Sequence, residues 1–77
     1  MRNLSNVTIK EFIKILEQLG YKHLRDKGGH IVYSKEGQKR PIIIQSHISP
    51  IPEFIIKNNL REMGINRKDF IELLENL

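Results

Sequence analysis

Apolar residues along this chain change their spacing in a way that marks its elements. Ile9, Phe12, Ile13, Leu16 and Leu19 recur at three- and four-residue intervals, so they share one face of a helix. Thr8 precedes them with Glu11 three positions on, the spacing of a capping box, and the pattern predicts a helix over 9–19. Gly20 followed by Tyr21 supplies its stop, a residue able to turn left-handed and then an apolar one. From Tyr21 to Gln45 the helical period gives way to short β-rich runs at 21–25, 30–34 and 40–45. Lys27-Gly28-Gly29 joins the first two and Lys35-Glu36-Gly37-Gln38 the last two, links short enough for hairpins, so the strands form an antiparallel meander. The continuous run Ile42-Ile43-Ile44 suggests that the third strand is the best buried.

The segment from Ser46 to Pro52 reads as a loop, and Pro52 with Glu53 opens a second helix. Ile55, Ile56, Leu60 and Met63 form its apolar side, Gly64-Ile65 its stop, and Asn66 caps a last short helix striped by Phe70, Ile71, Leu74 and Leu77. The order is helix, three antiparallel strands, helix, short helix: an α+β arrangement with helices on one sheet face and the other face left to solvent or a partner. It resembles the double-stranded-RNA-binding-domain fold, although fold order alone does not determine function. A chain of 77 residues holds one such domain, spanning 1–77.

Composition narrows the chemistry. Hydrophobic residues at 39% and charged residues at 29% belong to an ordinary globular domain rather than a disordered chain. The absence of cysteine removes disulfides, thiolate-bound zinc, iron–sulfur clusters and cysteine nucleophiles, and fits a reducing cytoplasm. The longest apolar stretch, 41–44, is far short of the ~20 residues a membrane span requires, so no membrane association is expected. Thirteen Lys and Arg against nine Asp and Glu give a net charge of +4 and a pI near 9.6. Such an excess attracts polyanions, nucleic acid first among them. Lys22, Arg25, Lys27, Lys35, Lys39 and Arg40 concentrate it mid-chain.

Three histidines are the side chains suited by type to proton transfer near neutral pH. His23 lies mid-strand between Lys22 and Leu24 and reads as an ordinary surface histidine. His30 follows Gly28-Gly29, where the lack of side chains lets a phosphate approach, or where the glycines simply turn a hairpin. His47 follows the third strand, and in a meander the start of strand two and the close of strand three lie at one end, so His30 and His47 are expected to be neighbours. Spacings of seven and seventeen residues match no compact zinc motif, and no Ser-His-Asp order, Walker loop or dinucleotide fingerprint occurs. No cofactor or metal is expected.

At these residues the chain resembles the HicA toxins, the YcfA-like family. The resemblance rests on Leu19-Gly20-Tyr21 closing the first helix, Lys27-Gly28-Gly29-His30, a basic hairpin, a hydrophobic strand closing near His47, and Leu60-Arg61-Glu62-Met63-Gly64-Ile65 closing the second helix. The chain departs from the family's pattern at Gln45, where a proline is usual, and at Glu53-Phe54-Ile55, where Lys-Gly-Thr is usual. The resemblance implies messenger-RNA cleavage, neutralisation by a HicB-type antitoxin and a catalytic role for His30, with His47 a further candidate. RNA carries its own nucleophile in the 2′-hydroxyl, so a protein this small need only align it and move protons. Lys27, Gly28, Gly29, Lys35, Lys39 and Arg40 are the candidate RNA contacts, with Lys27 and Arg40 the candidates for stabilising phosphate charge. A metal-independent ribonuclease is the expected activity, and the sequence leaves the oligomeric state of the lone protein open, a monomer being one option. The alternatives are a non-catalytic RNA-binding module and a helix-turn-helix DNA binder built on residues 60–74.

Overall fold

A computed structural model describes residues 2–77 as α1 (Ile9–Gln18), β1 (Lys22–Lys27), β2 (His30–Ser34), β3 (Ile42–Gln45), α2 (Glu53–Met63) and α3 (Arg67–Glu75). The three strands form one antiparallel sheet in the order β1-β2-β3, as the alternating pattern and short links require. This is the expected α+β arrangement, consistent with a double-stranded-RNA-binding-domain-like fold.

Local signals in the sequence set the helix ends. Thr8 accepts the Glu11 backbone N–H at 3.1 Å while Glu11 accepts the Thr8 N–H at 3.0 Å, so the capping box is closed in both directions. Tyr21 N–H donates to the Leu16 carbonyl at 2.9 Å, and Ile65 N–H to Leu60 at 3.1 Å beyond a left-handed Gly64, ending α1 and α2. Asn66 caps α3 by accepting the Asp69 N–H at 2.8 Å.

One core lies between the sheet and the helices. Phe12, Ile15 and Leu16 of α1, Ile56 and Leu60 of α2, and Phe70 and Leu74 of α3 bury against Tyr33, Ile42 and Ile44 of the sheet. Phe12 and Phe70 meet with ring centroids 5.6 Å apart in a tilted pair that ties α1 to α3. Leu4 and Val7, to which the sequence pattern assigned nothing, are fully buried in the same core. The Ile51 N–H donates to the Val7 carbonyl at 2.8 Å, pinning the β3–α2 loop to the N-terminal segment.

Four expectations need correction. β1 continues to Lys27 because the turn after it consumes only two residues, leaving Lys27 paired with His30. β3 begins at Ile42, since Pro41 has no N–H to give to a ladder. The Ile42-Ile43-Ile44 run is not buried throughout: Ile42 and Ile44 face the core, whereas Ile43 points to the other side and is 45% exposed. Leu77 lies past the end of α3 and is exposed rather than completing its stripe.

Candidate functional site on the open face of the sheet

The helices leave one sheet face uncovered, and strand register decides which side chains occupy it. His30 pairs with Lys27 on one side and Gln45 on the other. Val32 pairs with Arg25 and Ile43 in the same way. Facing pairs share a face, and Val32 stays outside the helix-packed core. Lys27, His30, Gln45, Arg25, Val32 and Ile43 therefore lie together on the open side.

His30 owes its position to the turn before it. Gly28 and Gly29 have φ of 56° and 81°, the pair of positive values of a two-residue hairpin turn whose twist matches its strands. The ladder extends one step past β3: Ser46 donates to the Gly29 carbonyl from its backbone N–H at 2.8 Å and from its hydroxyl at 3.0 Å. His47 is thereby held against the same turn, its Nδ1 3.5 Å from where a Cβ on Gly29 would stand. The sheet thus brings His30 and His47 to one end, as the meander predicts.

The basic residues divide into two groups. Lys27, Gly28 and His30 line a shallow groove of about 520 Å³ with Arg25, Val32 and Ile43, and no acid is among its lining residues. Lys35, Lys39 and Arg40 lie in the β2–β3 loop, at the opposite end of β2 from His30. There the Lys35 ammonium stands 5.4 Å from the Tyr21 ring centroid and Arg40 lies 3.9 Å from Glu62. Gln38 braces this loop, accepting from the Tyr21 hydroxyl at 2.7 Å and donating to the Glu62 carbonyl at 2.6 Å. Arg40 is thus separated from His30 by the length of β2, which leaves Lys27 as the nearer of the two cations assigned to phosphate charge.

Sequence reasoning counted Arg25 in the mid-chain basic cluster but did not place it beside His30. Strict alternation would place it on the face of His23, but the β1–β2 register shifts between His23 and Arg25. This irregularity at Leu24 turns Arg25 to the open face with Lys27. It also sets His23 and Asp26 on the helix side, 2.8 Å apart, with His23 edge-on to Tyr33 at 5.5 Å. His23 is therefore on the opposite face from His30. Burial, followed by Glu17 and Asp26, raises the Tyr33 pKa, so this face disfavours a further negative charge while the open face carries cations.

A larger cleft of about 710 Å³ separates the N-terminal segment from α3. It mixes Arg2, Arg67 and Lys68 with Glu72 and Glu75 and contains no histidine, so size alone does not make it the reactive site. Among the described residues, no three histidine, aspartate or glutamate side chains gather closely enough to hold a metal ion, and no helix is long and apolar enough to cross a membrane.

Residues 9–65 match the family model described as HicA toxin of bacterial toxin-antitoxin. The chain belongs to the HicA toxin family. No curated protein and no solved structure matches it. The HicA region runs from the start of α1 to the stop of α2, so it contains Arg25, the Gly28-Gly29 turn, His30, His47 and the β2–β3 loop. The segment before residue 9 and α3 lie outside that region, and both supply core side chains, Leu4 and Val7 from one and Phe70 and Leu74 from the other. Membership in the HicA family makes the protein the toxin of a toxin–antitoxin pair and implies an antitoxin partner.

Proposed function

We propose that this toxin is a metal-independent endoribonuclease that cleaves messenger RNA in the cytoplasm, with His30 as the group that moves the proton. The observation that carries the reading is the placement of an exposed histidine on the uncovered sheet face, beside a side-chain-free turn and two cations with no acid in their groove. An RNA phosphate reaches such a place without steric or electrostatic opposition.

His30 takes the proton of the 2′-hydroxyl as that oxygen attacks phosphorus in line. The new bond to phosphorus forms as the bond to the 5′-oxygen breaks, and the departing oxygen takes a proton from His47 or from water. The products are a 2′,3′-cyclic phosphate and a 5′-hydroxyl. Lys27 stabilises the charge that accumulates on the non-bridging oxygens, and the amides of the glycine turn allow close approach. A HicB-type antitoxin restrains the toxin by covering His30 and the β2–β3 loop with acidic or apolar groups.

The deciding experiment is cleavage of an RNA oligonucleotide by purified protein in excess EDTA, with product ends identified by mass spectrometry. A cyclic phosphate is expected, and replacing ribose by deoxyribose at the scissile nucleotide abolishes cleavage. Efficient cutting of the deoxy substrate, or activity that EDTA removes, overturns the mechanism.

A further inference from the structure

The open face of the sheet is a grid of two rungs. Lys27, His30 and Gln45 form one, and Arg25, Val32 and Ile43 form the next. Side chains two residues apart on a strand are separated by ~7 Å, a step that one nucleotide can span.

The second rung has features that neither folding nor proton transfer explains. Val32 is only 5% exposed although it lies on the side away from the helices, and Ile43 beside it is 45% exposed. They make an apolar floor and wall in the groove that His30 and Lys27 share, and the Arg25 side chain borders it from the other side. The volume, about 520 Å³, lies within the range of small-molecule sites. A flat apolar ring attached to an anion is the ligand that matches an aliphatic floor, a guanidinium plane and a basic rim together.

We infer that Arg25, Val32 and Ile43 form a nucleobase subsite, which holds one base of single-stranded RNA while the adjacent phosphate lies on the Lys27–His30 rung. The base rests on the exposed side of Ile43, with the nearly covered Val32 at the bottom of the groove, and the Arg25 guanidinium stacks on its free face. A base held in this way is unstacked and unpaired, so the site selects single strands over duplex. The subsite rests on the ribonuclease reading for its register relative to His30, and its binding behaviour is measurable without cleavage.

The test uses Arg25→Ala and Ile43→Thr, the second keeping a β-branched side chain on an exposed strand position, with folding verified by thermal denaturation. Lys68→Ala on α3 removes an equal charge away from the sheet. Fluorescence anisotropy in a His30→Ala background measures affinity for four single-stranded RNA pentamers differing only in the central base, and for one duplex. In parallel, KM is measured with the active protein. Arg25→Ala and Ile43→Thr are expected to weaken single-strand binding about tenfold each and to compress the differences among the four bases. Lys68→Ala is expected to change it less than twofold, and the duplex to bind more weakly than the single strands. Folded Arg25→Ala and Ile43→Thr proteins with unchanged affinity and unchanged base preference overturn the subsite, as does an absence of single-strand binding. A wild-type protein that binds with these variant effects but cuts no RNA instead removes the nuclease reading and leaves the subsite standing.

Discussion

The His47 ring lies against the backbone of Gly29, its Nδ1 3.5 Å and its Cε1 3.8 Å from the position a Cβ would take there. Turn and histidine are therefore one unit, and substitutions in the turn separate its backbone role from its contact. Gly29→Ala places a side chain at φ 81° and against His47, and is expected to cost about 1–2 kcal/mol. Gly28→Asn is expected to be within about 0.5 kcal/mol of wild type, because asparagine tolerates the left-handed region and nothing stands within 4 Å of the site of its Cβ. Chemical denaturation checks both; equal losses at the two positions contradict the contact.

His30 and His47 occupy one end of the sheet, and His23 is on the other face. His30→Ala is expected to lower RNA cleavage by roughly two to four orders of magnitude, the usual range for losing a general acid or base, with little change in thermal midpoint. His47→Ala is expected to lose less, since water can protonate the leaving oxygen, and His23→Ala to retain activity. Single-turnover rates with a labelled oligonucleotide rank them. A larger loss at His47 than at His30, with both proteins folded, moves the proton-abstracting role to the turn after β3.

Periodicity made the helices and the central strand legible, because burial imposes it: α1 begins at Ile9 behind its capping box, and β2 is His30–Ser34 as the pattern predicts. The neighbourhood of His30 and His47 was legible too, since it follows from strand direction alone. The sheet face that Arg25 occupies was hidden because an irregularity at Leu24 reverses the face of every later residue on β1, and nothing in Lys22-His23-Leu24-Arg25 announces it. Leu4 and Val7 escaped notice because two apolar residues in an irregular segment have no period. Asn59 escaped for the opposite reason: it is polar on a buried face, where its side-chain amide donates to the Ile43 carbonyl at 3.3 Å and ties α2 to β3.

Arg2 donates to both carboxylate oxygens of Glu11, which also accepts the Thr8 N–H, and these bonds hold the Glu11 pKa down to about 2. Its folded value lies below that of the unfolded chain, so the carboxylate adds stability above its ordinary value of 4.5, and this contribution is lost as pH falls towards about 2. Both side chains are nearly a third exposed, so the effect is partly screened by solvent. Glu11→Gln keeps the shape and the ability to accept from Thr8 while removing the charge. Its thermal midpoint is expected below wild type at pH 6, with the two curves converging near pH 2; a constant gap over that range contradicts the ion pair's role.

The two cationic groups predict a dependence on RNA length. Lys27 and Arg25 flank His30, whereas Lys35, Lys39 and Arg40 begin beyond Ser34, four residues along β2 from His30 and so roughly 14 Å away at the rise of a strand. A dinucleotide placed at His30 does not reach them, and a longer strand running along the open face does. Among the far group, Lys39 has no acidic partner among the described residues, while Arg40 stands 3.9 Å from Glu62, so Lys39 is the freer to meet a phosphate. For a ten-nucleotide single strand, Lys39→Ala is expected to weaken binding and to reduce the slope of log affinity against log salt by about 0.7, the value of one phosphate contact. For a dinucleotide the same substitution is expected to leave affinity unchanged, whereas Lys27→Ala weakens both. Titrations at several salt concentrations give the slopes, and an effect of Lys39→Ala on the dinucleotide as large as on the long strand shows that the RNA does not run from His30 towards the β2–β3 loop.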